Sequence, residues 1–217
     1  MQAGKLAEQR AALAAAAARG LTTADMGIAR GSWRPGRSGA WSVGAAGAAW
    51  LIVAAVPATR PVLRDQRSAG LDGRKVAYQA AVRIPVGTVL WEEVAFRGVL
   101  QASLRRILPT PAAIALTSGA FGLWHIRPTL QALRANDLAA GRRRAVAGAG
   151  AGVALTAAGG ALLSWLRERS GGLAAPMALH LVTNSGGAVS AWAARSAGRR
   201  TTAGGRPGRR CGGRGRS

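Results

Sequence analysis

Three runs of this chain contain no Asp, Glu, Lys or Arg, and their length limits what it can fold into. They are GAWSVGAAGAAWLIVAAVPA at 39–58, AVAGAGAGVALTAAGGALLSWL at 145–166 and LAAPMALHLVTNSGGAVSAWAA at 173–194, the last broken only by His180. Each is about as long as a helix needs to cross a hydrocarbon core of roughly 30 Å. In lipid the backbone must satisfy its own hydrogen bonds, so such runs predict helices. Two weaker segments accompany them: 85–104, which carries Glu92, Glu93 and Arg97, and the shorter 111–126, which stops before Pro128. The expected fold class is all-α, a polytopic transmembrane helix bundle.

Charge has to be read against that pattern. With 30 Lys and Arg against 8 Asp and Glu, the net charge of +22 would suit a soluble nucleic-acid binder. The basic residues, however, lie mostly in the gaps between apolar runs, with no interleaved aromatics to stack bases. Membrane loops have this pattern, so the lipid bilayer is an expected partner and nucleic acid is not. The distribution of Lys and Arg favours a cytoplasmic C-terminus, with loops 59–79 and 127–144 on the same side.

Three regions follow. Residues 1–38 form a basic N-terminal segment, cytoplasmic or interfacial, because AALAAAAA is weakly hydrophobic and is followed by Arg19, unlike a signal peptide. Residues 39–194 form the membrane domain. Residues 195–217 form a basic tail without apolar periodicity, expected to be disordered and to contact anionic headgroups. Cys211, the single cysteine, lies in that tail, which excludes an internal disulfide.

The stretch VLWEEVAFRG at 89–98 breaks the apolar pattern. A charge near the bilayer centre costs about 2.5–3.5 kcal/mol, so three on one segment need compensation. Glu93 and Arg97, four apart, share a helix face and can pair. Glu92 points about 100° away from Glu93 and lacks such a partner. Helix ends often carry charge, and this cluster alone does not require chemistry.

The histidines change that reading. The chain has two. His125 ends FGLWH, and His180 opens HLVTN with Asn184 one turn later. A lone histidine on an apolar helix is more often a satisfied core residue than a reactive one. Here both histidines, the adjacent acids and an Asn at helical spacing all fall on apolar segments. A carboxylate shielded from bulk water is a competent general base, and a histidine beside it can orient a water molecule. His and Asn on one helix face can supply two donors to an oxyanion. The set fits amide hydrolysis.

These residues also carry a family resemblance. EEVAFR matches an EExxxR pattern at Glu92, Glu93 and Arg97; FGLWH matches FxxxH at Phe121 and His125; HLVTN matches HxxxN at His180 and Asn184. In this order the chain resembles the CAAX-processing and bacteriocin-processing intramembrane endopeptidases, the CPBP or Abi family, over about 80–193. The resemblance implies that 39–194 is a protease domain whose site opens within the membrane. It implies Glu92 as the base that activates water, His125 as its positioning partner, Glu93 and Arg97 as a structural ion pair, and His180 with Asn184 as the oxyanion hole. Phe121 would pack beside His125. The expected enzyme is an integral membrane endopeptidase, in a bacterial plasma membrane, acting on a membrane-associated protein or peptide.

Members of the family are often labelled metalloproteases, and Glu92, His125 and His180 would be the three ligands of a catalytic zinc. No HExxH motif is present, and no further carboxylate is marked by the sequence as a partner for the ligating histidines. A metal-independent glutamate mechanism without cofactor is therefore preferred to zinc. Within 127–144, Leu130, Leu133 and Leu138 with the basic residues can form a short amphipathic element, though a solvated loop serves equally well. Two other classes retain the same features: a catalytically silent scaffold or immunity factor of this fold, and a small proton-coupled transporter.

Overall fold

The computed structural model describes residues 10–11, 14–56, 58, 66 and 70–204, and of 197–204 only the backbone. Helices α1 (Gly36–Ala55), α2 (73–105), α3 (Thr110–Trp124), α4 (Ile126–Ala135), α5 (Arg142–Ser170) and α6 (Ala174–Gly204) carry the architecture, with a short 3₁₀ turn at Arg30–Trp33. There is no strand among the described residues. The chain is all-α, as its sequence predicts.

Two stretches, Arg30–Ala55 and Arg142–Ser170, are long and apolar enough to cross a membrane by length and composition. Only 6% and 11% of their apolar windows are buried inside the fold, whereas the core helix of a soluble protein would be mostly covered. Trp41, Leu51, Ile52, Val146 and Leu155 point outward from these two helices. Such a surface is matched to hydrocarbon rather than water. Inside, Leu163, Leu166, Ala175 and Leu179 form a core, with Val43 and Ala46 of α1 packed against it.

Local chemistry sets the helix boundaries. Asp72 caps α2 by accepting from the Lys75 backbone N–H at 2.8 Å. The helix then continues unbroken past Pro85 by taking wide π-turns at Gln79–Arg83, Pro85–Val89 and Glu93–Leu100. Pro111, in the first turn of α3, lacks only an N–H that would be unpaired there. Gly122 lets α3 approach α5 closely, since a Cβ there would stand 2.7 Å from the Val153 carbonyl oxygen. Small residues permit this kind of close packing between membrane helices.

Three expectations change. The 111–126 segment ends at Trp124, and α4 begins at Ile126, so Pro128 falls in a first helical turn, where it is tolerated. The 127–144 region therefore contains a true helix, with Leu133 seated against Gly148 of α5 and Leu138 left exposed. The third apolar run does not stop at 194. Helix α6 continues to Gly204, ten residues into the stretch assigned to the tail, because Ala, Ser and Arg are compatible with a helix and no proline intervenes before Pro207. The rest of the tail, with Cys211, lies outside the described residues.

The N-terminal segment is tied to one end of the bundle. Ala16 and Met26 pack on Val99 of α2. The Gly27 carbonyl accepts from the Leu173 N–H at 3.0 Å, the Asp25 carbonyl from Arg167 at 2.8 Å, and the Arg19 carbonyl from Arg106.

Candidate active site

The charged face of α2 turns inward. Glu93 and Arg97 are wholly buried, and Arg97 Nη1 donates to Glu93 Oε1 at 3.0 Å. The four-residue spacing that predicts this pair survives the π-turn at Glu93–Leu100, because the slightly wider turn still brings i and i+4 near one face. Arg97 Nη2 donates to the Gly160 carbonyl at 3.1 Å, and its guanidinium carbon lies 4.2 Å from the Phe121 ring centroid. One buried cation is thus held by a carboxylate, a backbone carbonyl and an aromatic face.

Gly160 was not legible as a site residue. A Cβ at this position would stand 3.1 Å from Phe121 Cδ1 and 3.3 Å from Arg97 Nη2, so the side chains of two helices meet where it has none. Gln101 was also missed. It is buried, continues the Glu93, Arg97 spacing of four, and donates to the Ser164 carbonyl at 3.2 Å and to Glu168 at 2.8 Å. The four-residue polar repeat is the signal that marks it.

Both histidines face Glu92. His125 sits in the bend between α3 and α4, with φ −86° and ψ 2°, in the bridge region between helix and strand where active-site residues recur. Its Nδ1 lies 2.8 Å from the Phe121 carbonyl oxygen. A carbonyl only accepts, so Nδ1 donates and Nε2 is left to the site. That Nε2 lies 3.9 Å from Glu92 Oε2. From α6, His180 presents its own Nε2 to the same oxygen at 3.7 Å. Glu92 Oε2 is itself buried and makes no direct hydrogen bond.

The other nitrogen of His180 is bound. Nδ1 lies 2.8 Å from Glu93 Oε1, the oxygen that already accepts from Arg97. Glu93 therefore contacts the second histidine as well as the arginine, a carboxylate partner that sequence did not mark. Phe121 stands at the centre, with its ring 4.5 Å from the His125 ring and 5.9 Å from the His180 ring, centroid to centroid. It does more than pack beside His125.

Helices α2, α3 and α6 thus bring Glu92, Glu93, Arg97, Phe121, His125 and His180 together. The family model for Rce1-like type II CAAX prenyl endopeptidases matches residues 76–186, just over half of the chain. The chain belongs to this family. Its members are membrane helix bundles and CAAX-type peptidases, and the matched stretch contains all of these residues and Asn184. Neither a curated protein nor a solved structure matches the chain.

Within this Rce1-like chain Asn184 follows His180 by one turn on α6, half-buried, and its side chain makes no hydrogen bond among the described residues. Its helix is clamped to α2 by Ser185, whose hydroxyl donates to the Ala80 carbonyl at 2.9 Å. A zinc ion held by Glu92, His125 and His180 would need those atoms drawn closer together. Tetrahedral ligands about 2.0–2.1 Å from an ion lie roughly 3.3 Å from one another. The Glu92 oxygen stands 3.7 and 3.9 Å from the two imidazole nitrogens, and no three His, Cys, Asp or Glu among the described residues are grouped to hold a metal.

Proposed function

We propose that this chain is an intramembrane endopeptidase that cleaves a membrane-associated polypeptide of the CAAX type with a water activated by Glu92 and His125. The carrying observation is that the Nε2 atoms of both histidines face the buried, unbonded Oε2 of Glu92, at 3.9 and 3.7 Å. These separations exceed a direct hydrogen bond and suit a shared small neighbour such as water.

In the reaction Glu92 takes one proton from water, while His125 Nε2 accepts a hydrogen bond from the remaining O–H and aims the oxygen. The hydroxyl oxygen forms a bond to the peptide carbonyl carbon, whose π electrons move onto the carbonyl oxygen. Asn184, and His180 when its ring carries a proton on both nitrogens, donate to that oxyanion. When the oxyanion collapses, the C–N bond breaks and the proton held by Glu92 passes to the leaving nitrogen. No step requires a metal or cofactor.

The bundle also explains why such a site can exist in lipid. Arg97 and Glu93 neutralise one another, the Gly160 carbonyl accepts from the second terminal nitrogen of the guanidinium, and the Phe121 ring lies against it. Cleavage of a quenched prenylated CAAX peptide by purified protein in detergent or liposomes tests the reading, with Glu92→Gln as control. Turnover should fall by about 10²–10⁴-fold in the variant. Near-normal cleavage by folded Glu92→Gln would sink the mechanism. Comparing proteomes of cells carrying the two forms would reveal the natural substrate as a protein that accumulates uncut.

A further inference from the structure

The two adjacent carboxylates, Glu92 and Glu93, are bonded differently. Each carboxylate keeps a buried Oε2 without a hydrogen bond, and that of Glu92 faces two imidazoles, whereas Glu93 Oε1 is bonded twice, to Arg97 at 3.0 Å and to His180 Nδ1 at 2.8 Å. An ion pair that served only to bury an arginine would not need the second bond. We propose that Glu93 is a positioning residue for His180, resting on the function proposed above: it holds the proton of the ring on Nδ1 and so fixes Nε2 toward Glu92 and the reacting carbonyl.

The direction of the bond follows from its neighbours. Arg97 is a donor only, so Glu93 Oε1 meets it as an acceptor and meets His180 in the same role. Nδ1 must then carry hydrogen. The ring cannot flip without giving up this bond, because exchanging its nitrogen and carbon positions would turn a C–H toward the carboxylate. Phe121 limits the same rotation from the side, edge-to-face against His180 at an interplanar angle of 85°. His180 is also nearly fully buried, so water is a poor substitute partner.

A consequence follows for the oxyanion. With Nδ1 donating to Glu93, Nε2 can donate only when the ring carries a second proton. The carboxylate that orients the ring is then also the one that lies against its charge. Arg97 stands behind Glu93 and keeps that carboxylate in place through the Gly160 carbonyl and Phe121. Arg97, Glu93 and His180 therefore form one hydrogen-bonded line, joined at Glu93 Oε1.

The chain's two histidines make the state of His180 directly readable. In full-length protein labelled with ¹⁵N-histidine, with His125→Gln used to assign signals, His180 Nδ1 should show the shift and directly bonded proton of a protonated nitrogen. An Nδ1 with the shift of an unprotonated, lone-pair nitrogen overturns the proposal. Glu93→Asp keeps a charge for Arg97 but withdraws the carboxylate from the ring, and Glu93→Gln keeps the length but adds a donor that competes at Nδ1. In folded variant protein, kcat on the quenched prenylated CAAX peptide should fall about tenfold or more with KM unchanged. Unchanged kcat in either folded variant overturns the proposal; if neither folds, the wild-type spectrum decides. The spectrum does not depend on peptide cleavage, so an unprotonated Nδ1 beside intact Glu92-dependent cleavage removes only this inference. Loss of the Glu92 dependence with Nδ1 protonated removes only the peptidase mechanism.

Discussion

The guanidinium of Arg97 lies against the ring of Phe121, 4.2 Å from its centroid. This contact joins α2 to α3 and sets the aromatic residue between the arginine and both histidines. Phe121→Leu would retain most of the apolar volume but lose the ring face. It should cost about 1–2 kcal/mol of stability, the worth of a desolvated cation–π contact. Activity should fall as well, because His125 and His180 both pack on that ring. Thermal unfolding in detergent, followed alongside peptide cleavage, checks both; a fully stable and active Phe121→Leu would show that the ring is interchangeable packing.

The two adjacent acids should fail in different ways. Glu93→Ala leaves Arg97 buried without its counter-charge, a change that costs about 3–5 kcal/mol. Yield of folded protein should drop sharply. Glu92 is only partly buried and has no ion-pair partner of fixed charge, so Glu92→Gln should fold at near wild-type yield while losing turnover. Size-exclusion profiles of the two variants, measured before any assay, separate these outcomes.

Much of this division was legible in spacing. Residues four apart share a helix face whether the turn is α or π, so the Glu93–Arg97 pair survives the wide turns of α2, and His180 and Asn184 stand one turn apart on α6. The long uncharged runs likewise specify helices, since lipid leaves the backbone no other partner. Contacts across helices were not legible. Glu93 and His180 meet only because α2 and α6 pack side by side, and no local rule encodes a bond between residues 87 apart in sequence. Gly160 is one of 31 glycines and stands out only once Arg97 and Phe121 are seen to fill the space a Cβ would need. The end of α6 was misplaced because Arg and Ala serve a solvated helix as readily as a disordered tail.

Gly160→Ala tests that tight contact. The added methyl would press on Phe121 and Arg97 at 3.1 and 3.3 Å, closer than ordinary van der Waals contact. A loss of about 1–3 kcal/mol is expected from such overpacking. The matching change at Gly159, where a Cβ meets nothing within 4 Å, should be tolerated. Equal stability of the two alanine variants in a thermal melt would contradict the site geometry.

The N-terminal tie should weaken in acid. Asp25 accepts from the Thr22 backbone N–H at 2.8 Å and its hydroxyl at 2.9 Å, and pairs with Arg106 at 3.1 Å. The Thr22 backbone bond foremost, then its hydroxyl and Arg106, holds the Asp25 carboxyl below its ordinary value of 3.8. A carboxyl depressed on folding contributes stability that is fully present above the unfolded value and is lost as pH falls through the folded one. Hydrogen exchange of amides in 22–28 should therefore accelerate, beyond the intrinsic rate, as pH drops below 3.8. Asp25→Asn should remove that acid-specific opening; an identical pH response in the variant would assign it to other groups.

Chelation distinguishes the two chemistries that these residues can support. Zinc as activator would lower the proton affinity of its bound water and need Glu92, His125 and His180 drawn in as ligands. The observed oxygen-to-nitrogen separations of 3.7 and 3.9 Å are wider than the roughly 3.3 Å of a tetrahedral set. In their neutral forms both rings turn a lone pair toward Glu92, and closing on an ion would take a movement of several tenths of an ångström. Purified protein should contain no stoichiometric zinc by elemental analysis and should keep its activity through prolonged chelation. Near-stoichiometric zinc, with cleavage that chelation abolishes and added zinc restores, would recast the same three residues as ligands and leave Glu93 as the carboxylate that orients one of them.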